Sequence, residues 1–118
     1  MSGLLMVFFS FCLTGDGRLS VEDARVLLES TPDFLRATSG NRCPQIELLW
    51  SGEHDVAYQM RSRCTNSPSG LIGNYIVDRH TAEVWIGVDR DHLVESKRLR
   101  KLQQILLKRV RGGSGRNK

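Results

Sequence analysis

Apolar and polar positions repeat with two different periods along this chain, and the switch between them lays out the fold. Val21, Ala24, Val26, Leu27 and Leu28 recur at helical spacing behind Ser20, with Glu22 and Asp23 in the first turn. That pattern predicts a helix over 21–30 opening on a serine cap. Pro32 closes it, Phe34 and Leu35 reach the core, and Thr38 to Arg42 form a polar loop.

From Ile46 the period falls to two. Ile46, Leu48 and Trp50 alternate along one strand and Val56, Tyr58 and Met60 along the next, joined by the turn 51–55, Ser-Gly-Glu-His-Asp. Cys43 and Cys64 are equidistant from the centre of that turn, so the hairpin itself brings them together and predicts a disulfide. Closing that loop stabilises the fold by roughly 3 kcal/mol. A direct Cys43–Cys64 opposition pairs Leu48 with Gln59, whereas matching Leu48 with Met60, Trp50 with Tyr58 and Glu47 with Arg61 needs a one-residue shift. A β-bulge resolves the conflict, and Pro44, which has no N–H for the ladder, is its expected place.

After the loop 65–70, a second hairpin pairs Ile72–Asp78 with Glu83–Val88 around the four residues Arg79 to Ala82. The register places Val77 opposite Val84 and Tyr75 opposite Ile86, with Val88 on the same face. Ile76 and Trp85 pair on the other face, where they meet a helix or form an exposed apolar spot. Asp91 then caps a helix over 92–110 whose stripe is Leu99, Leu102, Ile105, Leu106 and Val110. Gly112-Gly113 stop it. These elements predict an α+β fold: an N-terminal helix, two β-hairpins forming a four-stranded antiparallel sheet, and a long C-terminal helix packed on the sheet.

The domain is expected to cover 18–111. Ahead of it, Leu4 to Leu13 form an apolar run too short for a bilayer, which takes about 20 residues, and small residues follow at Thr14, Gly15 and Gly17. Residues 1–17 therefore read as a signal peptide, although no Lys or Arg precedes the run, and a buried first helix or strand is the alternative. Its removal takes Cys12 and leaves two cysteines for an oxidising compartment, so a secreted or periplasmic location is expected. Residues 112–118 read as a disordered tail.

Charge changes the picture at the C-terminal end. The formal net charge is +4, yet 97–118 hold nine Lys or Arg and no acid, against eight basic and thirteen acidic residues in 1–96. Lys97, Arg98, Arg100, Lys101, Lys108, Arg109 and Arg111 thus make a basic helix surface for phosphates, acidic headgroups or an acidic protein. A solvated outer face, or cations suited to the negative end of the helix dipole, is the alternative account.

The segment Asn74 to Trp85 resembles the terminal hairpin of PepSY-like domains, small secreted or membrane-tethered bacterial modules, through Tyr75, Val77, Asp78, Thr81 and Val84. The resemblance covers twelve residues and implies a non-catalytic binding module, with peptidase modulation proposed for the family. Ala82 departs from the pattern by standing where the family has a left-handed glycine, at a cost of about 1 kcal/mol.

Other chemistry is thin. His54, His80 and His92 fall in two turns and at a helix start without catalytic or ligand spacing, and no nucleotide or hydrolase fingerprint is present. Cys12 to Asp23 matches later positions of a calcium loop but lacks its first two oxygen ligands. The reading is a non-catalytic secreted or periplasmic binding module, inhibitory or scaffolding, with no catalytic residue, cofactor or metal. Its expected partner is a protein or anionic surface. The alternative is an intracellular nucleic-acid-associated domain using the basic helix.

Overall fold

A computed structural model describes residues 17–64 and 70–115. The apolar run, Asp16, residues 65–69 and residues 116–118 lie outside the described residues. The element order is α1 (Val21–Leu28), α2 (Pro32–Ser39), β1 (Pro44–Ser51), β2 (Asp55–Ser62), β3 (Leu71–Asp78), β4 (Val84–Ile86), β5 (His92–Leu93) and α3 (Lys97–Gly115). The class is α+β, and the sheet is an antiparallel meander of five strands in chain order rather than four.

Helix α1 begins in a reciprocal cap: the Asp23 N–H donates to Ser20 Oγ at 3.0 Å, and the Ser20 N–H to Asp23 Oδ2 at 3.1 Å. Pro32 does not simply close that helix. It opens α2 as the first helical residue, where a missing N–H costs nothing, behind the cap Thr31. Thr31 is fully buried; its hydroxyl donates to Leu28 O at 2.7 Å and accepts from the Phe34 N–H at 3.3 Å.

All three helices serve one face of the sheet. Leu19, Leu27 and Leu28 meet Ile46, Tyr58, Met60, Tyr75, Val77 and Val84 there, and Leu99 and Leu106 close the layer from α3. Two tyrosines also fasten helices through their hydroxyls, Tyr58 donating to Val21 O at 2.6 Å and Tyr75 to Asp33 Oδ2 at 2.7 Å. Burial pushes the Tyr58 phenol up to about 12 and raises that of Tyr75, with Asp33 adding to the second shift, so both stay neutral donors. Gly73 leaves the Tyr75 ring its room, since a Cβ there would lie 3.0 Å from the Tyr75 hydroxyl.

The β3–β4 register is the expected one: Val77 faces Val84, Ile76 faces Trp85 and Tyr75 faces Ile86. Ala82 takes the left-handed conformation, with φ of 67°. In β1–β2 the bulge sits elsewhere. Pro44 pairs with Ser62, Ile46 with Met60 and Leu48 with Tyr58, and the shift comes between Leu48 and Trp50, after which Trp50 pairs with Ala57. The bulge at Leu49 belongs to an edge strand, where an unpaired residue interrupts one ladder only. Pro44 needs none, because it stands at the strand's first position. Trp50 accordingly leaves the Tyr58 face for the opposite one.

Cys43 and Cys64 form the disulfide, their Cα atoms 5.3 Å apart. They are not directly opposed: the Arg63 N–H donates to Cys43 O at 3.0 Å, and Cys43 reaches Cys64 from a left-handed backbone, with φ of 51°.

The expected helix start at Asp91 is replaced by a strand. Gly87 and Arg90 both have positive φ, 99° and 57°, and turn the chain back so that Leu93 pairs with Trp85 and His92 with Ile86. Val88 stands in that turn at 64% exposure instead of joining the apolar face. Helix α3 starts four residues after β5, capped by Ser96, whose Oγ accepts from the Leu99 N–H at 3.1 Å. It continues through Gly112 and Gly113 to Gly115, so the residues expected to open a disordered tail are helical. Glycine permits a left-handed stop without imposing one.

The second face of the sheet receives none of these helices. Across it run Trp50, Ala57, Ile76, Trp85 and Leu93, one from each strand and each opposite the next. Polar groups border this row on both sides. On one, Arg63 pairs with Glu47, and Arg61 donates to Gln59 Oε1 at 2.8 Å. On the other, Arg90 bridges Asp55 and Asp78, with its guanidinium 5.7 Å from the centre of the Trp85 ring.

Candidate functional site

Helix α3 has a held side and a charged side. Leu99 and Leu106 are buried, with Leu102, Leu107 and Val110 packed beside them. Gln103 joins this inward side and donates to Ala82 O at 2.7 Å, docking the helix on the β3–β4 turn. Ile105 does not belong to the buried stripe; it is 57% exposed among the cations, because its position turns away from the sheet.

The seven predicted cations divide by what they touch. Arg109 forms an ion pair with Asp23 at 2.6 Å, and Arg111 donates to His80 O at 3.3 Å, so these two fasten the helix to α1 and to the β3–β4 turn. Burial raises the Asp23 pKa, but the Ser20 N–H, Arg109 and the Ser20 hydroxyl together outweigh it and hold the carboxyl below its ordinary value. Lys97, Arg98, Arg100, Lys101 and Lys108 are exposed. Lys97, Arg98, Arg100 and Lys101, with Gln104, line an open depression of about 410 Å³.

The dipole does not account for this cluster. Four of the five cations lie in the first five positions of α3, the positive end of the helix, and its first turn contains no acid. Each cation there is disfavoured by about 0.3–1 kcal/mol. The arrangement therefore costs helix stability and gives a cationic surface, bordered at Arg100 by Glu83 and Glu95, suited to anionic oxygens through charge-assisted hydrogen bonds.

The histidines fall differently from one another. His54 and His80, far apart in sequence, approach to 5.2 Å between ring centres, because a meander puts the β1–β2 and β3–β4 turns at the same end of the sheet. That topology was the available signal for their meeting. His92 lies in β5 rather than at a helix start. Gln103 was overlooked as an anchor, although a polar residue between Leu102 and Leu106 on the inward side was its mark. Among the described residues no group of three or more His, Cys, Asp and Glu could hold a metal ion, and no helix is long and apolar enough to cross a membrane. No known protein-family model, curated protein or solved structure matches the chain.

Proposed function

We propose that this protein is a non-catalytic binding module, exported to the cell exterior or periplasm, that engages an anionic macromolecule or surface through the outward side of α3. The observation that carries this reading is the group Lys97, Arg98, Arg100 and Lys101, four cations in the first five positions of α3, the wrong end of a helix for their own stability, with Glu83 and Glu95 beside its Arg100 edge. The Cys43–Cys64 bond supports an oxidising compartment. The likeness of Asn74 to Trp85 to PepSY-like hairpins supports a binding rather than a chemical role, inhibitory or scaffolding.

The test changes Lys97, Arg98, Arg100 and Lys101 together to Gln and leaves Arg109 and Arg111, which fasten the helix, in place. Heparin, anionic vesicles and duplex DNA are titrated at two salt concentrations, with circular dichroism reporting the fold. The variant is expected to stay folded and to bind its anionic ligand at least about tenfold more weakly, a loss of about 1.4 kcal/mol. Wild-type binding should also weaken steeply with salt. Equal binding by variant and wild type to every ligand would leave the cluster a solvated face. Selective DNA binding that persists at physiological salt would favour the nucleic-acid reading instead.

A further inference from the structure

Helix α3 carries its outermost cations in a line. Lys97, Lys101 and Lys108 are separated by four and seven residues, and at about 3.6 residues per turn both steps return to nearly the same side of the helix. All three are exposed, as is Gln104 between the last two. With a rise of about 1.5 Å per residue, the line is about 17 Å long.

Acids border that line on both sides without entering it. Arg100 and Arg109 are nine residues apart, two and a half turns, and so stand on opposite flanks. Arg109 pairs with Asp23 of α1 at 2.6 Å, while Glu83 and Glu95 share a small depression with Arg100 and Gln103. The cationic strip is therefore no wider than the helix, about 10–12 Å. A bilayer or a nucleic-acid duplex laid across it meets those carboxylates as well, whereas a narrow chain passes between them. Insertion into a bilayer also needs a free apolar side, and that side of α3 is packed on the sheet, with Ile105 alone of its apolar residues exposed. Unpaired bases lack a stacking platform here, because α3 contains no Phe, Tyr, Trp or His.

We infer that the partner of this surface is a linear acidic polysaccharide lying lengthwise along α3, with its anionic groups on Lys97, Lys101 and Lys108 and Arg98 and Arg100 beside it at the N-terminal end. The inference rests on the reading of α3 as the anion-binding surface and names what that surface holds. Lysine offers a compact charge on a flexible stem, so three in line can follow a polymer whose anionic groups are unevenly spaced. Gln104 favours a sugar over a chain of phosphates. It interrupts the cations with a neutral amide that both donates and accepts, which matches a hydroxyl, a group polyphosphate lacks along its length.

Titration of the full, disulfide-bonded chain with heparin oligosaccharides of increasing length tests the inference, beside polyphosphate of matched charge and vesicles of phosphatidylglycerol and phosphatidylcholine in equal parts. Affinity is expected to rise at least about tenfold from the disaccharide to the octasaccharide, and to level off once the chain spans the strip. Lys97→Gln, Lys101→Gln and Lys108→Gln should each weaken the octasaccharide about threefold or more and flatten the fall of log affinity with log salt by about 0.7–0.9. Circular dichroism should show each variant folded. Arg36→Gln, the same loss of charge on α2, should change neither quantity. Gln104→Leu should weaken the octasaccharide and spare polyphosphate. Equal affinity for disaccharide and octasaccharide, or indifference to Lys108→Gln, would overturn the lengthwise arrangement. Polyphosphate or vesicles bound as tightly as the octasaccharide or more so, and released by the joint change of Lys97, Arg98, Arg100 and Lys101 to Gln, would overturn the polysaccharide while keeping α3 an anion-binding surface. Binding to none of the three probes would remove that surface together with its ligand.

Discussion

In the β3–β4 hairpin one turn holds the register, whereas in β1–β2 the register changes along the strand and the far end is held covalently. The Asp78 carboxylate accepts from the N–H groups of His80 and Thr81 at 2.8 and 3.0 Å, the Asp78 N–H donates to Glu83 O at 2.9 Å, and every following pair is then set. β1 shifts by one residue at Leu49 and ends on Cys43 and Cys64. A turn that accounts for its own hydrogen bonds makes a ladder predictable outward from it. An edge strand with a free side can absorb an extra residue and still deliver apolar groups to both faces.

The largest expected effect on this contrast is at the covalent end. Cys64→Ser should destabilise the fold by about 2–4 kcal/mol by freeing the β1–β2 loop in the unfolded chain. Denaturant midpoints with and without reductant measure it, and equal midpoints for the wild type would remove the staple from the account. Next comes the turn. Asp78→Asn should cost about 2 kcal/mol near neutral pH, because it takes the charge from a carboxylate that serves two backbone N–H groups and Arg90. Burial raises the Asp78 pKa, but the His80 and Thr81 N–H groups and Arg90 outweigh it, so the folded value lies below the ordinary one. The stabilisation is therefore complete above the unfolded pKa of about 3.9 and is lost as pH falls through the lower folded value. Urea unfolding as a function of pH should show a steeper acid slope in the wild type than in Asp78→Asn, which keeps the part owed to Asp23.

The smallest effect is at Ala82. Relief of its left-handed backbone favours glycine by about 1 kcal/mol. Ala82 is also fully buried, so glycine gives up a methyl worth about 0.8 kcal/mol and gains unfolded-state freedom. Ala82→Gly should then fall within about 0.5 kcal/mol of wild type in chemical denaturation. A gain above that would show strain outweighing packing, and a larger loss the reverse.

What could be read from the residues follows the same division. The serine start of α1, the disulfide, the Tyr75–Ile86 and Val77–Val84 pairs and the left-handed Ala82 were legible, since each depends on a few neighbouring residues or on one turn. The placement of Trp50 was not, because the Leu49 bulge answers to both faces of the sheet at once. Nor was β5: Asp91 is a good cap by type, and only the turn at Gly87 and Arg90 sends the next residues back along β4. The α3 cations were legible as a group. Their division into two fasteners and a free cluster required Asp23 and His80 to be brought alongside by the fold.

The ion pair between Asp23 and Arg109 joins the third residue of the first described helix to the last helix, and Leu99 and Leu106 close a core whose other buried members lie between Leu19 and Val84. A chain emerging from the ribosome thus makes all of its sheet before it owns the last part of the layer that covers it. Until α3 arrives, the surface of Tyr58, Met60, Tyr75 and Val77 has only the residues of α1 and α2 over it, and burial is completed at the end of synthesis. The fold is thus completed from its C-terminal end, and the finished structure is withheld until the whole chain can be drawn together.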